Sequence, residues 1–352
     1  MLLVIDWAMI LEKFVLITVV VMASLGIAMY TTFAERKVAA ILQDRRGPNR
    51  AGPFGLLQPL ADGLKLFFKE EIIPNFSSKS LFILGPGLAM LTAIMTSAVI
   101  PWGDKVHFFN RDISLQIADI NIGILYVFGV VSLGVYGIMI GSWASNNKFS
   151  LLGGLRAASQ IISYELAMGI SLIALLMVTG TLSLKEMVLQ QQQGGWGGLL
   201  SWNVLKQPLG FFIFIICSFA ECNRTPFDLP EAENELIGGY HTEYSSMKLG
   251  FYLFAEYINM FISSVIMATL FFGGYDMPFV NEANLSPNIA ALVGIIALMA
   301  KVVFFIFVFM WVRWTIPRFR YDQLMHLGWR ILIPLALFNM LVTGGLILYF
   351  NK

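Results

Sequence analysis

Ionisable side chains within apolar segments are the first candidates for chemistry in this 352-residue sequence. Glu165 and Glu256 each lie about two turns inside an apolar run, and Lys301 lies near the middle of another. An ionisable group at membrane depth is costly unless it is paired or hydrated, so it usually marks a function. These residues predict either proton handling or a buried ion pair that joins helices, for instance between Lys301 and one of the glutamates.

A second candidate is an acidic segment that begins at the end of an apolar run. Its members are Glu221, Asp228, Glu231, Glu233, Glu235 and Glu243. Only Arg224 offsets them, and prolines and apolar residues interrupt the segment, which is atypical of a solvated acidic tail. Crowded carboxylates repel one another, so we expect raised pKa values and shared titration near neutrality. The pattern is typical of a proton relay, and a solvated charged face is the alternative.

The sequence offers few ligands for a redox centre. Cys217 and Cys222 cannot supply the four thiolates of an iron–sulfur cluster. The three histidines, at 107, 241 and 326, lie in connecting segments, and no glycine-rich phosphate loop is present. We therefore expect no metal site and no redox cofactor on this chain. If the protein takes part in redox chemistry, electrons must come from a partner.

The elements that position these groups are transmembrane helices. Hydrophobic residues make up 57% of the chain and charged residues only 13%, against about 25% charged in soluble proteins. Apolar runs of about 20 residues recur, the length of a helix that crosses a bilayer. We predict an all-α integral membrane protein, a single polytopic domain over 1–352 with about eight transmembrane helices. They lie at roughly 12–33, 81–101, 118–143, 158–180, 208–221, 249–274, 287–311 and 331–350.

The basic residues of the connecting segments divide unequally between the two predicted sides. Sixteen lie on the side of the long loops and six on the other. The positive-inside rule therefore places the long loops in the cytoplasm and both termini outside. The outer segment 183–207, with its glutamine run and glycines, is typical of a tolerant insertion, and no internal repeat of the kind found in transporters is evident.

A short amphipathic helix is predicted between the first two transmembrane helices. Its apolar face would carry Leu56, Leu60, Leu64, Phe67 and Phe68, and its polar face Gln58, Asp62, Lys65 and Lys69. Such a helix is typical of the membrane interface. A surface helix packed on its own protein is the alternative.

Three segments on the predicted cytoplasmic side resemble one family closely. They are Glu35–Glu70, Ala220–Tyr257 and Trp311–Leu335, the last with the run PRFRYDQLMHLGWR. They are similar to the family of the H subunit of bacterial NADH:quinone oxidoreductase (respiratory complex I), the counterpart of mitochondrial NADH dehydrogenase subunit 1. Asn234 and Ser246 depart from the family pattern, but neither affects a charged position. The resemblance spans nearly the whole chain.

The resemblance implies a membrane subunit that forms much of the quinone chamber, anchors the hydrophilic arm and couples quinone reduction to proton translocation. The implied proton path comprises Glu35, Glu165, Glu221, Glu231, Glu233, Glu235, Glu243 and Glu256. The implied quinone-site residues are Arg36, Arg45, Asp62 and Lys65, with Arg224 and Arg318 as counter-charges. Quinone would be the substrate, and FMN and iron–sulfur clusters would be held by partner subunits.

The resemblance also implies partners and a location. The partners would be the hydrophilic-arm quinone-site and iron–sulfur subunits, small membrane subunits, antiporter-like subunits and the lipid bilayer, with no nucleic acid. The location would be the bacterial inner membrane. Two other classes remain open on the residues alone: a secondary transporter or ion channel that uses Glu165, Glu256 and Lys301, and a structural anchor whose carboxylates only dock partners.

Overall fold

Apolar helices make up most of the chain that the computed structural model describes, which comprises residues 7–108, 111–193, 198–278 and 286–350. In chain order the α-helices are α1 (Trp7–Leu42), α2 (Gln58–Phe68), α3 (Lys79–Met95), α4 (Gly123–Ala144), α5 (Lys148–Thr179), α6 (Leu184–Gln192), α7 (Asn203–Lys206), α8 (Pro208–Glu221), α9 (Glu233–Leu236), α10 (Ser246–Phe271), α11 (Pro287–Thr315), α12 (Tyr321–His326) and α13 (Ile333–Phe350). A stretch of π-helix, Leu327–Leu332, joins α12 to α13. The predicted all-α membrane bundle is confirmed.

Seven helices of the described residues are long and apolar enough to cross a membrane: α1, α3, α4, α5, α10, α11 and the joined α12–α13. The eighth predicted crossing, α8, has 14 residues, about 21 Å at 1.5 Å per residue. That length falls short of the roughly 30 Å of a hydrocarbon layer. Seven of the eight predicted segments are therefore helices of bilayer length, and the eighth is a shorter apolar helix whose crossing stays a prediction.

Several helices are longer than the predicted runs because charged residues extend them beyond the apolar part. α1 runs to Leu42 instead of residue 33. α5 begins at Lys148 instead of residue 158, and the Asn147 side chain caps it by accepting a hydrogen bond from the Phe149 amide. The final helix begins at Tyr321 instead of residue 331. An apolar run marks only the part of a helix that would lie in lipid, and the helix continues beyond that run into the segments that connect the apolar runs.

Small residues bring α3, α4 and α10 close together. A Cβ on Gly141 of α4 would lie 1.9 Å from the Tyr252 hydroxyl of α10, and one on Gly85 of α3 would lie 2.7 Å from the Gly141 Cα. The Tyr252 hydroxyl donates to the Gly137 carbonyl. Close backbone approach of this kind is the usual way membrane helices associate. It makes α10 the most buried of the seven spanning helices.

The segment predicted as a tolerant insertion is packed into the bundle, so that prediction is wrong for its described part. Gln191 of α6 is fully buried, and its side chain donates to the Thr269 carbonyl and accepts from the Asn203 and Gly273 amides. Asn203 donates in turn to the Leu270 carbonyl. These bonds satisfy backbone groups at the end of α10. Composition alone does not distinguish such a polar anchor from a loop.

A short β-hairpin adds to the outer side. Its strands are β1 (Lys105–Phe108) and β2 (Arg111–Ser114), which pair antiparallel. The His107 amide donates to Asn288 next to the start of α11. On the same side, Lys13 of α1 donates to the Gln116 carbonyl. These contacts join segments that the charge pattern had assigned to one side, and the orientation of that side relative to the cytoplasm stays a prediction.

The predicted amphipathic helix corresponds to α2, and its apolar face points away from the protein. All five predicted apolar residues are exposed, from 45% for Leu60 to 80% for Phe68. The polar residues Asp62, Lys65 and Lys69 line a cavity between α2 and the bundle. This orientation favours the interfacial helix over the packed surface helix, because an apolar face turned outward is stable against lipid.

Candidate functional site

A buried cluster of charges lies at the inner end of the bundle, where α1, α10 and α11 meet. The centre is Glu35 of α1, which is 5% exposed. Its carboxylate lies 2.5 Å from Nη1 of Arg313 and 3.2 Å from Nη1 of Arg224, and it accepts a hydrogen bond of 2.8 Å from the Tyr257 hydroxyl. Glu35 therefore joins three segments that are distant in the sequence.

Arg224 extends this cluster toward a second carboxylate. It is 3% exposed, its Nη2 lies 3.8 Å from Glu256, and its guanidinium stacks 4.1 Å from the centre of the Tyr257 ring. Burial alone would lower the pKa of Arg224, but the charges of Glu256 and Glu35 raise it. Among the described residues, Nε and Nη2 of Arg224 have no hydrogen-bond partner. The guanidinium is thus permanently charged and held mainly by electrostatics and ring stacking.

The acidic segment supplies a buried carboxylate, Asp228, and a partly buried one, Glu231. Asp228 lies 2.6 Å from Arg318. Burial and the nearby charge of Glu231 raise the pKa of Asp228 to about 7, although Arg318 opposes the shift. Burial would also raise the pKa of Glu231, but His241, 3.5 Å away, lowers it below its usual value. The pKa values of these two neighbouring acids are thus shifted in opposite directions, and perturbed acids of this kind mark a candidate functional site.

The loop that carries these acids is tied to the bundle by one buried amide. Gln160 of α5 donates from Nε2 to the carbonyls of Ala220 and Phe227. The loop folds back tightly at Gly239, with φ of +59°, where a Cβ would lie 1.7 Å from the Pro230 carbonyl oxygen. Only glycine fits that position. The acids are consequently fixed in place by the loop rather than displayed on an exposed tail.

A cavity of about 370 Å³ opens between α1, α2 and α10; we name it the entrance cavity. Arg36, Asp62 and Lys65 line it, with a 2.6 Å ion pair between Arg36 and Asp62. Apolar residues such as Phe254 form much of the remaining wall, and Lys69 and Tyr257 also lie in the lining. Its volume is within the range of ligand sites, and its mixed walls suit a molecule with a polar head and an apolar tail.

Two smaller cavities lie deeper in the bundle. The central cavity, about 40 Å³, has Glu221, Glu256 and Tyr252 in its lining. The distal cavity, about 20 Å³, is lined by Glu221 together with apolar residues of α4 and α10. Glu165 of α5 lies nearby in the bundle and accepts a 3.0 Å hydrogen bond from Ser132 of α4. The structure thus brings Glu35, Glu256 and Glu221 into one series of contacts and cavities.

The remaining predicted residues lie nearer the surface. Glu235 is exposed and pairs with Arg156 at 2.6 Å, and Glu243 accepts a 2.5 Å hydrogen bond from Asn147. Arg45 bonds Gln43 and lies outside the lining of the entrance cavity. The side chain of Glu233 lies outside the described part of the chain. The predicted acidic set therefore divides into buried and surface members.

Lys301 is hydrogen-bonded to backbone carbonyls beyond the end of α10. Its ammonium donates to the carbonyls of Phe272, Gly274 and Asp276, and it lies 5.0 Å from the Trp202 ring. These carbonyls follow the end of α10, where helical hydrogen bonding stops. Lys301 thus caps that helix end, a structural role that the sequence alone did not separate from a functional one.

Three residues of the site were not predicted as members: Tyr257, Arg313 and Asn259. Tyr257 directly follows Glu256, and its position beside a buried acid was a usable signal. Arg313 was counted only as one of the basic residues that set the topology. Asn259 lies one turn beyond Glu256 and lines both deeper cavities. A polar residue one turn from a buried glutamate was the available signal for it.

Among the described residues, no group of three or more histidine, cysteine, aspartate or glutamate side chains could hold a metal ion. Cys217 and Cys222 are both free and buried.

Comparison with known proteins gives a consistent result. The family model described as NADH dehydrogenase matches residues 14–344. The chain is 65% identical over 340 residues to an NADH-quinone oxidoreductase H subunit of Cytophaga hutchinsonii, covering 97% of this chain and 98% of the relative. It is 66% identical over 343 residues to the H subunit of the same enzyme in Flavobacterium johnsoniae, covering 97% and 96%. It is 47% identical over 342 residues to the H subunit from Thermomicrobium roseum, covering 96% and 97%. The matched residues 14–344 include the lining of the entrance cavity and the acidic segment, and the chain belongs to the NADH dehydrogenase family.

Proposed function

We propose that this chain is the membrane subunit of a proton-translocating NADH:quinone oxidoreductase that admits quinone at the entrance cavity and passes the effect of its reduction to buried carboxylates. The relatives named above are subunits of that enzyme. Electrons would come from FMN and iron–sulfur clusters of partner subunits that dock on the acidic loop. Both termini would lie outside, with the long loops in the cytoplasm.

The observation that carries this proposal is the position of Tyr257. It lines the entrance cavity, donates a hydrogen bond to Glu35, and stacks against Arg224. Arg224 in turn contacts Glu256, which lines the central cavity. A change of charge at a quinone head group in the entrance cavity would therefore act on Glu256 through only two intervening side chains.

The entrance cavity also suits the physical form of a quinone. The exposed apolar face of α2 would lie at the membrane interface, where a long apolar tail is dissolved. The ion pair between Arg36 and Asp62 lies in the lining, and the N–H groups of a guanidinium can donate to quinone carbonyl oxygens. A head group could thus reach polar side chains while its tail remains in lipid.

The experiment uses Glu→Gln changes at single positions in the assembled enzyme in membrane vesicles. Gln keeps the size and most hydrogen bonds of Glu but cannot hold the transferred proton. If the carboxylates within the bundle relay protons, Glu221→Gln, Glu256→Gln and Glu165→Gln should slow quinone reduction and proton pumping together while the assembly stays intact. Glu221→Asp should retain more activity than Glu221→Gln, since it keeps a proton site.

Glu12→Gln serves as the matched control, because Glu12 lies near the outer end of α1 and away from all three cavities. Full coupled activity in every single Gln variant, with assembly lost only in combinations, would show that the carboxylates dock partners and do not conduct protons.

A further inference from the structure

The central and distal cavities share four lining residues: Val131, Glu221, Cys222 and Asn259. The two cavities therefore meet at a neck formed by these side chains. At about 10–15 Å³ for each water, the central cavity has room for a few waters and the distal cavity for one.

Of the four neck residues, only Glu221 and Asn259 have strongly polar side chains. Val131 is apolar, and a thiol such as that of Cys222 is a weak donor and acceptor. A carboxamide presents two N–H donors and one acceptor oxygen, yet it does not titrate. Asn259 can therefore order water on both sides of the neck without capturing the proton that passes.

Asn259 belongs to a polar stripe on α10. Glu256 precedes it by three residues and Ser263 follows it by four, so all three lie on one face of the helix. Glu256 lines the central cavity and Ser263 the distal cavity, with Asn259 between them in both linings. The stripe faces Glu221 across the cavities. One helix face thus carries polar groups from the charged cluster toward the outer half of the bundle.

We propose that Asn259 is a positioning residue that holds water between Glu256, Glu221 and the distal cavity, and so permits proton transfer at the neck. In each transfer one O–H bond of a protonated carboxyl breaks and one forms at the accepting carboxylate, with water passing the proton on. This inference rests on the proposed function. It adds that a neutral amide, and not a further acid, holds the water that connects Glu221 to its neighbours.

The test compares N259L and N259D in the assembled enzyme in vesicles. Leucine fills a similar volume but cannot hold water, so kcat for NADH-driven quinone reduction and the rate of pumping should fall by about 100-fold, the scale that a misplaced group can cost. The KM for quinone should not change, because Asn259 is outside the lining of the entrance cavity. N339L is the matched control, since Asn339 is buried on α13 and bonds Gln207 away from the neck.

N259D keeps the size and polarity of asparagine, so it tests the inference even if N259L fails to assemble. It places a second carboxyl beside Glu221, and coupled acids titrate as a pair. The pH profile of quinone reduction should therefore differ from that of the wild type. A wild-type pH profile in N259D, or an N259L enzyme with the activity of N339L, would overturn the inference.

E221Q is measured in parallel to distinguish failure of the proposed function from failure of the role given to Asn259. Full coupled activity in E221Q, as in every other single Gln variant, would refute the proton relay of the proposed function. Slow turnover in E221Q together with wild-type behaviour of both Asn259 variants would refute only the role of Asn259.

Discussion

Removal of the charge of Glu35 is the sharpest test of the buried cluster. Glu35→Gln keeps the volume and leaves Tyr257 an acceptor, but it leaves Arg224 and Arg313 without their shared anion. Loss of one partner from a buried ion pair typically costs about 3–5 kcal/mol. Arg224 retains Glu256 at 3.8 Å and Arg313 is 28% exposed at its side chain, so both keep some compensation. We expect a cost near the lower end, about 3 kcal/mol.

Two further variants calibrate that value. Arg313→Gln should cost less, about 1 kcal/mol, because solvent reaches Arg313 and Glu35 keeps Arg224. Asp62→Asn is the control for an exposed pair, since its partner Arg36 is 50% exposed at the side chain, and it should cost about 0–1 kcal/mol. The expected order of destabilisation is therefore Glu35→Gln, then Arg313→Gln, then Asp62→Asn.

The assay measures, by native electrophoresis, the temperature at which half of the assembled enzyme in detergent has dissociated. A double variant of Glu35→Gln with Arg313→Gln gives the coupling between the two, expected at about 0.5–3 kcal/mol for residues in direct contact. If Glu35→Gln were no more destabilising than Asp62→Asn, the cluster would not be desolvated as its burial indicates. The role of Glu35 as the centre of the site would then be wrong.

Asp228 has a folded pKa of about 7, above the usual value near 3.9, so its ionisation makes stability fall as the pH rises from about 4 to 7. The thermal stability of Asp228→Asn relative to the wild type should therefore increase between pH 5 and pH 8. An equal difference between variant and wild type at both pH values would contradict the pKa shift. Lys301→Gln should lower stability by about 1–3 kcal/mol because three carbonyls lose an ammonium donor. Its control is Lys185→Gln, which removes a 3.7 Å surface pair with Asp119 and should cost under about 1 kcal/mol. A reporter that is active only in the cytoplasm should stay silent when fused after Lys352, and activity there would reverse the proposed topology.

The helices and the identity of the buried acids could be predicted from sequence because both depend on local information. An apolar run of bilayer length gives a helix, and a carboxylate within it stands out, as Glu165 and Glu256 do. The ends of the helices were less predictable. α5 extends ten residues beyond its apolar run, where Arg156 lowers the hydrophobicity yet pairs with Glu235 of the loop.

The partners of each charge could not be predicted, since they depend on how distant helices pack. Arg224 contacts Glu35, 189 residues away in the sequence, and no spacing rule joins them. Arg313 was indistinguishable from other basic residues at a helix end until its contact with Glu35 was visible. In the same way, Lys301 caps a helix end that is set by the turn after α10.

The division of the acidic set bears on the choice between proton relay and docking. Glu235 is exposed and neutralised by Arg156, and such surface pairs contribute little energy each, so their natural use is contact with a partner surface. Asp228 is buried and Glu231 is partly buried, and their pKa values are shifted in opposite directions, so under the relay hypothesis they are the candidates for proton transfer. The two hypotheses therefore make their predictions for different residues of one loop. Gln160 bonds that loop to the bundle, and Gly239 lets it fold back tightly. A partner that docks at Glu235 would therefore contact the same fixed loop that carries Asp228 and Glu231.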